Sequence, residues 1–292
     1  MRNEVHQTQI CDRPLTTQSP KDLLRAYRHL SKPLRRAAET NTLGKVYYDV
    51  SNCPRMDSGA LLLLSYSAYA LKRLGWEAYV RGHGAPYEMV VENIQHMHQT
   101  PELRKTTTTT TGEFLCRKVP KHEQMVVELQ EWAGTVGAQA DAAEVALWQM
   151  QISEITTNSF QHGQLVEPHI LVAGRAHRQQ KIVQLAALDF GRGIPKSVAH
   201  VAKQAGIPAG DGNYIRHACC RGVTSRTVPQ NQGAGLNSLV ETVKERQGAL
   251  IIFSGNRVFH VTKGRRYRRN FSASGSQAMI AGTLIVLNLK LL

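Results

Sequence analysis

The chain has 292 residues, 42% of them hydrophobic and 20% charged, which is ordinary for a folded protein and long enough for two domains with real cores. No apolar run approaches the ~20 residues of a membrane span, and an N-terminus carrying Glu4, His6 and Asp12 has no signal-peptide core, so a cytoplasmic protein without membrane contact is expected. Cys11, Cys53, Cys116, Cys219 and Cys220 are odd in number and show no C-x-x-C spacing, which argues for reduced thiols and against a zinc site or a disulfide frame. A net charge of +14 leaves an acidic partner open.

His29 precedes Ser31-Lys32-Pro33, but no paired dimerisation helix follows, so it reads as an ordinary helix residue. Next come a strand over Lys45 to Val50, a helix over Gly59 to Leu74 closed by Gly75, a strand over Trp76 to Val80 and a helix over Pro86 to Met97. This is a small α/β unit. The strand Val46-Tyr47-Tyr48-Asp49-Val50-Ser51, followed by Met56-Asp57-Ser58-Gly59-Ala60-Leu61, resembles the STAS fold of anti-anti-sigma factors, in which a strand leads through an aspartate-serine turn into an amphipathic helix. The resemblance implies that Ser58 is a phosphoacceptor, although the turn is one small residue shorter than the common Asp-Ser-Ser-Gly form. The alternative is that Ser58 caps the helix. Six consecutive threonines, Thr106 to Thr111, have no hydrophobic alternation and read as a polar linker, dividing the chain into residues 1–110 and 111–292.

In the second half Val145, Trp148, Ile152, Ile155 and Ser159 recur at helical spacing as one face of a helix, while Gln151, Glu154, Asn158 and His162 form a polar stripe on another. A carboxylate at Glu154 can take a proton from a water or hydroxyl attacking a phosphoryl group, and the amide oxygen of Asn158 suits magnesium. His162, beside Gly163 at the helix end, reads as a cap. Ile182 to Leu188 reads as a buried strand delivering Asp189, an acceptor for an exocyclic amine such as adenine's, with Gly191 and Gly193 allowing close backbone approach to a flat ligand. Arg216, His217, Arg221, Gly222, Thr224, Ser225 and Arg226 suit a loop closing over phosphates, with Arg221, Thr224, Ser225 and Arg226 the candidate contacts and Cys219-Cys220 read as lid packing. Gly233 and Gly235 stand before the helix-like Leu236 to Val243, where backbone N–H groups and a helix N-terminus form a phosphate cradle. Lys263, Arg265, Arg266, Arg268 and Arg269 read as a solvated hairpin tip, with nucleic acid or another acidic partner as the alternative. The last strand runs from Thr283 to Leu289.

Glu154-x-x-x-Asn158-x-x-x-His162-Gly163, Asp189-Phe190-Gly191-Arg192-Gly193 and Gly233-Ala234-Gly235-Leu236 resemble, in that order, the N-box and the two glycine boxes of the GHKL nucleotide-binding superfamily, which includes gyrase, histidine kinases and anti-sigma serine kinases. The likeness covers roughly residues 113 to 292. It implies a Bergerat-type α/β sandwich, a mixed sheet covered by helices, binding ATP and magnesium. It further implies Glu154 as general base, Asn158 as magnesium ligand, Asp189 as adenine reader, and Gly191, Gly193, Gly233, Gly235 and Leu236 around the nucleotide. Thr283 would contact adenine through its hydroxyl and a water. The expected function is a slow ATPase or anti-sigma-like serine kinase in partner switching with a regulatory protein. The alternative is an ATP-gated interaction module with negligible turnover, its basic surface open to nucleic acid.

Overall fold

The computed structural model describes residues 4–9, 16–40, 43–53, 56–81, 114–120, 142–162, 169–177, 181–223, 235–262, 265–267 and 280–290. β1 (Glu4–Gln9), α1 (Pro20–Thr40), β2 (Gly44–Asp49), α2 (Ser58–Arg73) and β3 (Glu77–Arg81) make a βαβαβ unit whose strands pair in parallel in the order β1-β2-β3. Ser19 starts α1: its hydroxyl accepts from the Asp22 N–H at 3.2 Å and donates to the Asp22 carboxylate at 2.6 Å. Gly75, at φ +81, closes α2. The helix expected at Pro86 to Met97, the threonine run and the proposed boundary at residue 110 lie outside the described residues.

The remaining elements are β4 (Phe114–Pro120), α3 (Ala142–His162), β5 (His169–His177), β6 (Ile182–Leu188), α4 (Ile194–Gln204), α5 (Asp211–Ala218), α6 (Gly235–Glu245), β7 (Ala249–Gly255), β8 (Arg257–Thr262), β9 (Arg265–Tyr267) and β10 (Ile280–Lys290). Their strands form one seven-stranded sheet in the order β4-β5-β6-β10-β7-β8-β9. Every pairing is antiparallel, which corrects the expectation of a mixed sheet. The reason is topological. β6 and β7 do run parallel to each other, joined through α4, α5 and α6, but β10 lies between them and opposes both.

Side chains alternate across this sheet, and both faces are buried. Ile170, Val172, Val183, Leu185, Ala187, Leu250, Ile252, Ile285 and Leu287 pack with Trp148, Ile152 and Ile155 of α3 and Leu239, Val240 and Val243 of α6. From the opposite face Leu171, Ala173, Ala186, Leu188, Ile251, Phe253, Leu284 and Val286 share a core with α1, α2 and β2. The two helices of the N-terminal unit are thus sandwiched between the two sheets. That explains Leu61-Leu62-Leu63-Leu64: four successive leucines point all round a helix, and all four are buried because α2 has a sheet on each side. Each such leucine contributes about 1.5–3 kcal/mol of burial. Tyr27 of α1 meets Phe253 of β7 edge-on at 4.8 Å between ring centroids.

The Asp57-Ser58-Gly59 turn is built for this contact. Asp57, not Ser58, is the N-cap of α2, accepting from the Ala60 N–H at 3.0 Å and from the Thr17 N–H at 2.6 Å. The Ser58 N–H donates to Gln184 Oε1 of β6 at 2.7 Å, and Gln184 donates to Asn288 Oδ1 of β10 at 2.8 Å. A Cβ on Gly59 would lie 2.2 Å from Thr17 Oγ1 and 2.8 Å from Val286 Cγ2, so glycine lets the helix reach the sheet. Burial pushes the Asp57 carboxyl up, opposed by these hydrogen bonds. No helix among the described residues is long and apolar enough to cross a membrane.

Candidate nucleotide site

α3 presents two faces, as its periodicity requires. Trp148, Ile152 and Ile155 enter the core, while Glu154 and Asn158, four residues apart, lie together on the face turned toward the start of α6. The approach there is tight. A Cβ added to Gly235 would fall 2.5 Å from Asn158 Nδ2 and 2.6 Å from Glu154 Oε2, so the backbone of α6 touches both side chains only because residue 235 is glycine. Asn158 Nδ2 is buried without a hydrogen-bond partner, and partial desolvation raises the pKa of Glu154. Gln151, expected on the same stripe, is fully buried; its amide donates to Thr242 Oγ1 at 3.1 Å and ties α3 to α6. Leu236, in the first turn of α6, is half-buried and packs against the core.

The second cluster forms where β6 and β7 end and β10 begins. The Asp189 N–H donates to the Thr283 carbonyl at 3.0 Å, and Asp189 Oδ1 accepts from the N–H groups of Gly191 at 2.9 Å and Thr283 at 3.1 Å. Burial, partly offset by these donors and by the Thr283 hydroxyl, pushes the Asp189 carboxyl up to about 7. Gly282 has φ +114, and a Cβ there would sit 1.9 Å from the Asp189 carbonyl oxygen. A register shift in the β10–β7 pairing between Ile280 and Thr283 re-aims the chain at this point.

Ser254, at the end of β7, joins the parts. Its hydroxyl accepts from the Ile194 N–H at 2.9 Å, donates to the Gly282 carbonyl at 3.1 Å and lies 3.0 Å from Thr283 Oγ1. Sequence reasoning missed it; the signal was one polar residue ending the apolar run Ala249 to Phe253. Gly193, with φ +80, passes directly over it, its ideal Cβ only 2.8 Å from Ser254 Oγ. Phe190 turns to the other side of the sheet, 4.8 Å from Tyr69 and 5.9 Å from Tyr66 of α2 between ring centroids, so the N-terminal unit supports the Asp189 turn.

Glu154, Asn158 and Gly235 are therefore brought together, as are Asp189, Gly191, Gly193 and Thr283. Arg221 is exposed just after α5, and Gly222 adopts φ +82. Gly233, Thr224, Ser225 and Arg226 lie outside the described residues, as does the side chain of His162. The cysteine pair divides: Cys219 is buried and Cys220 exposed. Ser58 is 0% exposed beneath the opposite sheet face, out of reach of a phosphoryl donor in this conformation. Among the described residues no group of three or more His, Cys, Asp and Glu is placed to hold a metal. The sequence matches no protein-family model and no curated protein significantly.

Proposed function

We propose that the chain is a Mg-ATP-binding protein of the GHKL type with a Bergerat-like nucleotide unit, acting as a slow ATPase or a protein serine kinase in partner switching. The observation that carries this reading is the contact of Gly235 with Glu154 and Asn158, which joins two sequence-distant motifs at the start of a helix. The residues fit the ligands. Asn158 combines an amide oxygen suited to magnesium with a buried N–H lacking a partner, suited to a phosphate oxygen. Asp189 holds an acceptor in a dry, backbone-fixed turn, suited to an adenine amine. When bound, ATP supplies the phosphoryl group and magnesium neutralises its charge.

Glu154 is the proton acceptor for the attacking water or serine hydroxyl, and its partial desolvation makes it a stronger base than an exposed carboxylate. Incubation with Mg-ATP and candidate partners, followed by ADP quantification and mass spectrometry, separates hydrolysis from transfer. Absence of ATP binding would overturn the proposal. The stacking of Phe190 on α2 favours a second reading, in which nucleotide occupancy is relayed to the N-terminal unit as a gate without turnover. Full-rate signalling by a Glu154→Gln protein that still binds ATP would select it.

A further inference from the structure

Besides the basic run near residue 265, a second group of cations lies on α1. α1 carries Lys21, Arg25, Arg28, Lys32 and Arg36 at spacings of four, three, four and four residues, within one narrow wedge of the helix, and all five are exposed. The opposite wedge, Leu23, Leu24, Ala26, Tyr27, Leu30 and Ala37, is buried between the sheets. Six Lys and Arg on this helix face two acids, Asp22 and Glu39, and Asp22 pairs with Arg25 at 3.0 Å across i,i+3 at the surface. We infer that the outer face of α1 is a docking surface for the phosphate backbone of duplex nucleic acid.

Charge and shape select this occupant. The stripe is about 22 Å long at 1.5 Å per residue and repeats its cations every 5–6 Å, as a track for a regular polyanion must. Among the described side chains of α1 the only others exposed are Ala38 and Glu39, so this face has no large aromatic or aliphatic anchor. A membrane-surface helix inserts an apolar face, and a protein interface is organised around buried aromatic hot spots; here the apolar wedge is already used by the core. A phosphate backbone needs neither.

The test is fluorescence anisotropy of the full chain with a 20-base-pair duplex, as DNA and as RNA of the same sequence, across salt concentrations. Five phosphate contacts predict a slope of about −4.5 in log K against log salt, roughly a 500-fold affinity loss between 50 and 200 mM. Arg28→Gln with Lys32→Gln is expected to weaken binding and reduce the slope by about 1.8, so that the same salt step costs roughly 40-fold. Lys72→Gln with Lys203→Gln, an equal charge loss at exposed positions on α2 and α4, is expected to leave the slope unchanged. Circular dichroism confirms folding. A DNA-only or RNA-only response identifies the nucleic acid and supports the inference. Equal weakening by both double variants, no duplex binding at 50 mM salt, or binding to phosphatidylserine vesicles without duplex binding would overturn it.

Discussion

If Asp189 is the adenine acceptor, nucleotide affinity should depend on pH in a direction set by its burial. Burial holds its carboxyl near pKa 7 in the free protein, yet an adenine amine can donate only to a ready acceptor and favours the carboxylate. Between pH 6 and pH 8 the ionised fraction rises from about one-tenth to about nine-tenths, so ATP affinity should rise roughly tenfold and then level off. The linked effect on the free fold has the opposite sign. A raised folded-state pKa stabilises at low pH, and that contribution is lost as pH climbs from the ordinary aspartate range through about 7. The ligand-induced thermal shift should therefore be larger at pH 8 than at pH 6. Calorimetry at the two pH values, with Asp189→Asn as control, isolates the effect, because phosphate ionisation is common to both proteins. The variant should bind about 1.5–3 kcal/mol more weakly at pH 8 and lose the additional pH dependence. Equal pH profiles for the two proteins would refute the assignment of Asp189 as the adenine acceptor.

Glu154→Gln should keep ATP affinity while turnover falls roughly a hundredfold or more, whereas Asn158→Ala should lose magnesium-dependent binding; steady-state kinetics beside calorimetry distinguishes them. Gly235→Ala places a methyl within 2.6 Å of Glu154 and Asn158, and should cost about 1–3 kcal/mol in urea unfolding and abolish ATP binding. Asp57→Ala removes a cap and leaves the Thr17 and Ala60 N–H groups without their acceptor, so unfolding should show a loss of about 2–4 kcal/mol. A chain beginning at residue 111 would expose Leu171, Leu188, Phe253, Leu284 and Val286 and should be aggregated in light scattering, while the full chain should unfold in one transition.

Features confined to one element were legible. The apolar stripe of α3, the shared face of Glu154 and Asn158, the buried run of β6 and the glycine that opens α6 follow from period and turn chemistry and recur in the structure, while Gln151 of the polar stripe is buried against α6. What depended on distant partners was not. The place of β10 between β6 and β7 is a long-range pairing that no local pattern encodes, and it turned an expected mixed sheet into an antiparallel one. Ser58 resembled a phosphoacceptor or a cap until Gln184 and Val286 appeared above its turn. Gln151 and Ser254 are polar residues whose roles depend on what faces them across the fold. The basic stripe of α1 was legible in principle, since its four-three-four-four spacing is written in the chain, but scanning for consecutive charges favours Lys263 to Arg269 instead.

The position of β10 also constrains how the protein can be made. It is the last of the described strands to leave the ribosome, yet it occupies the middle of the sheet, hydrogen-bonded to β6 on one side and β7 on the other. Until residues 280–290 emerge, β6 and β7 each hold an apolar strand edge awaiting its neighbour, and Asp189 lacks both the N–H and the carbonyl of Thr283. Synthesis therefore passes through a stage in which β1 to β9 are present but neither the central sheet nor the Asp189 turn can close. Slow translation of residues 280–290 would prolong a state suited to chaperones and to intermolecular strand pairing.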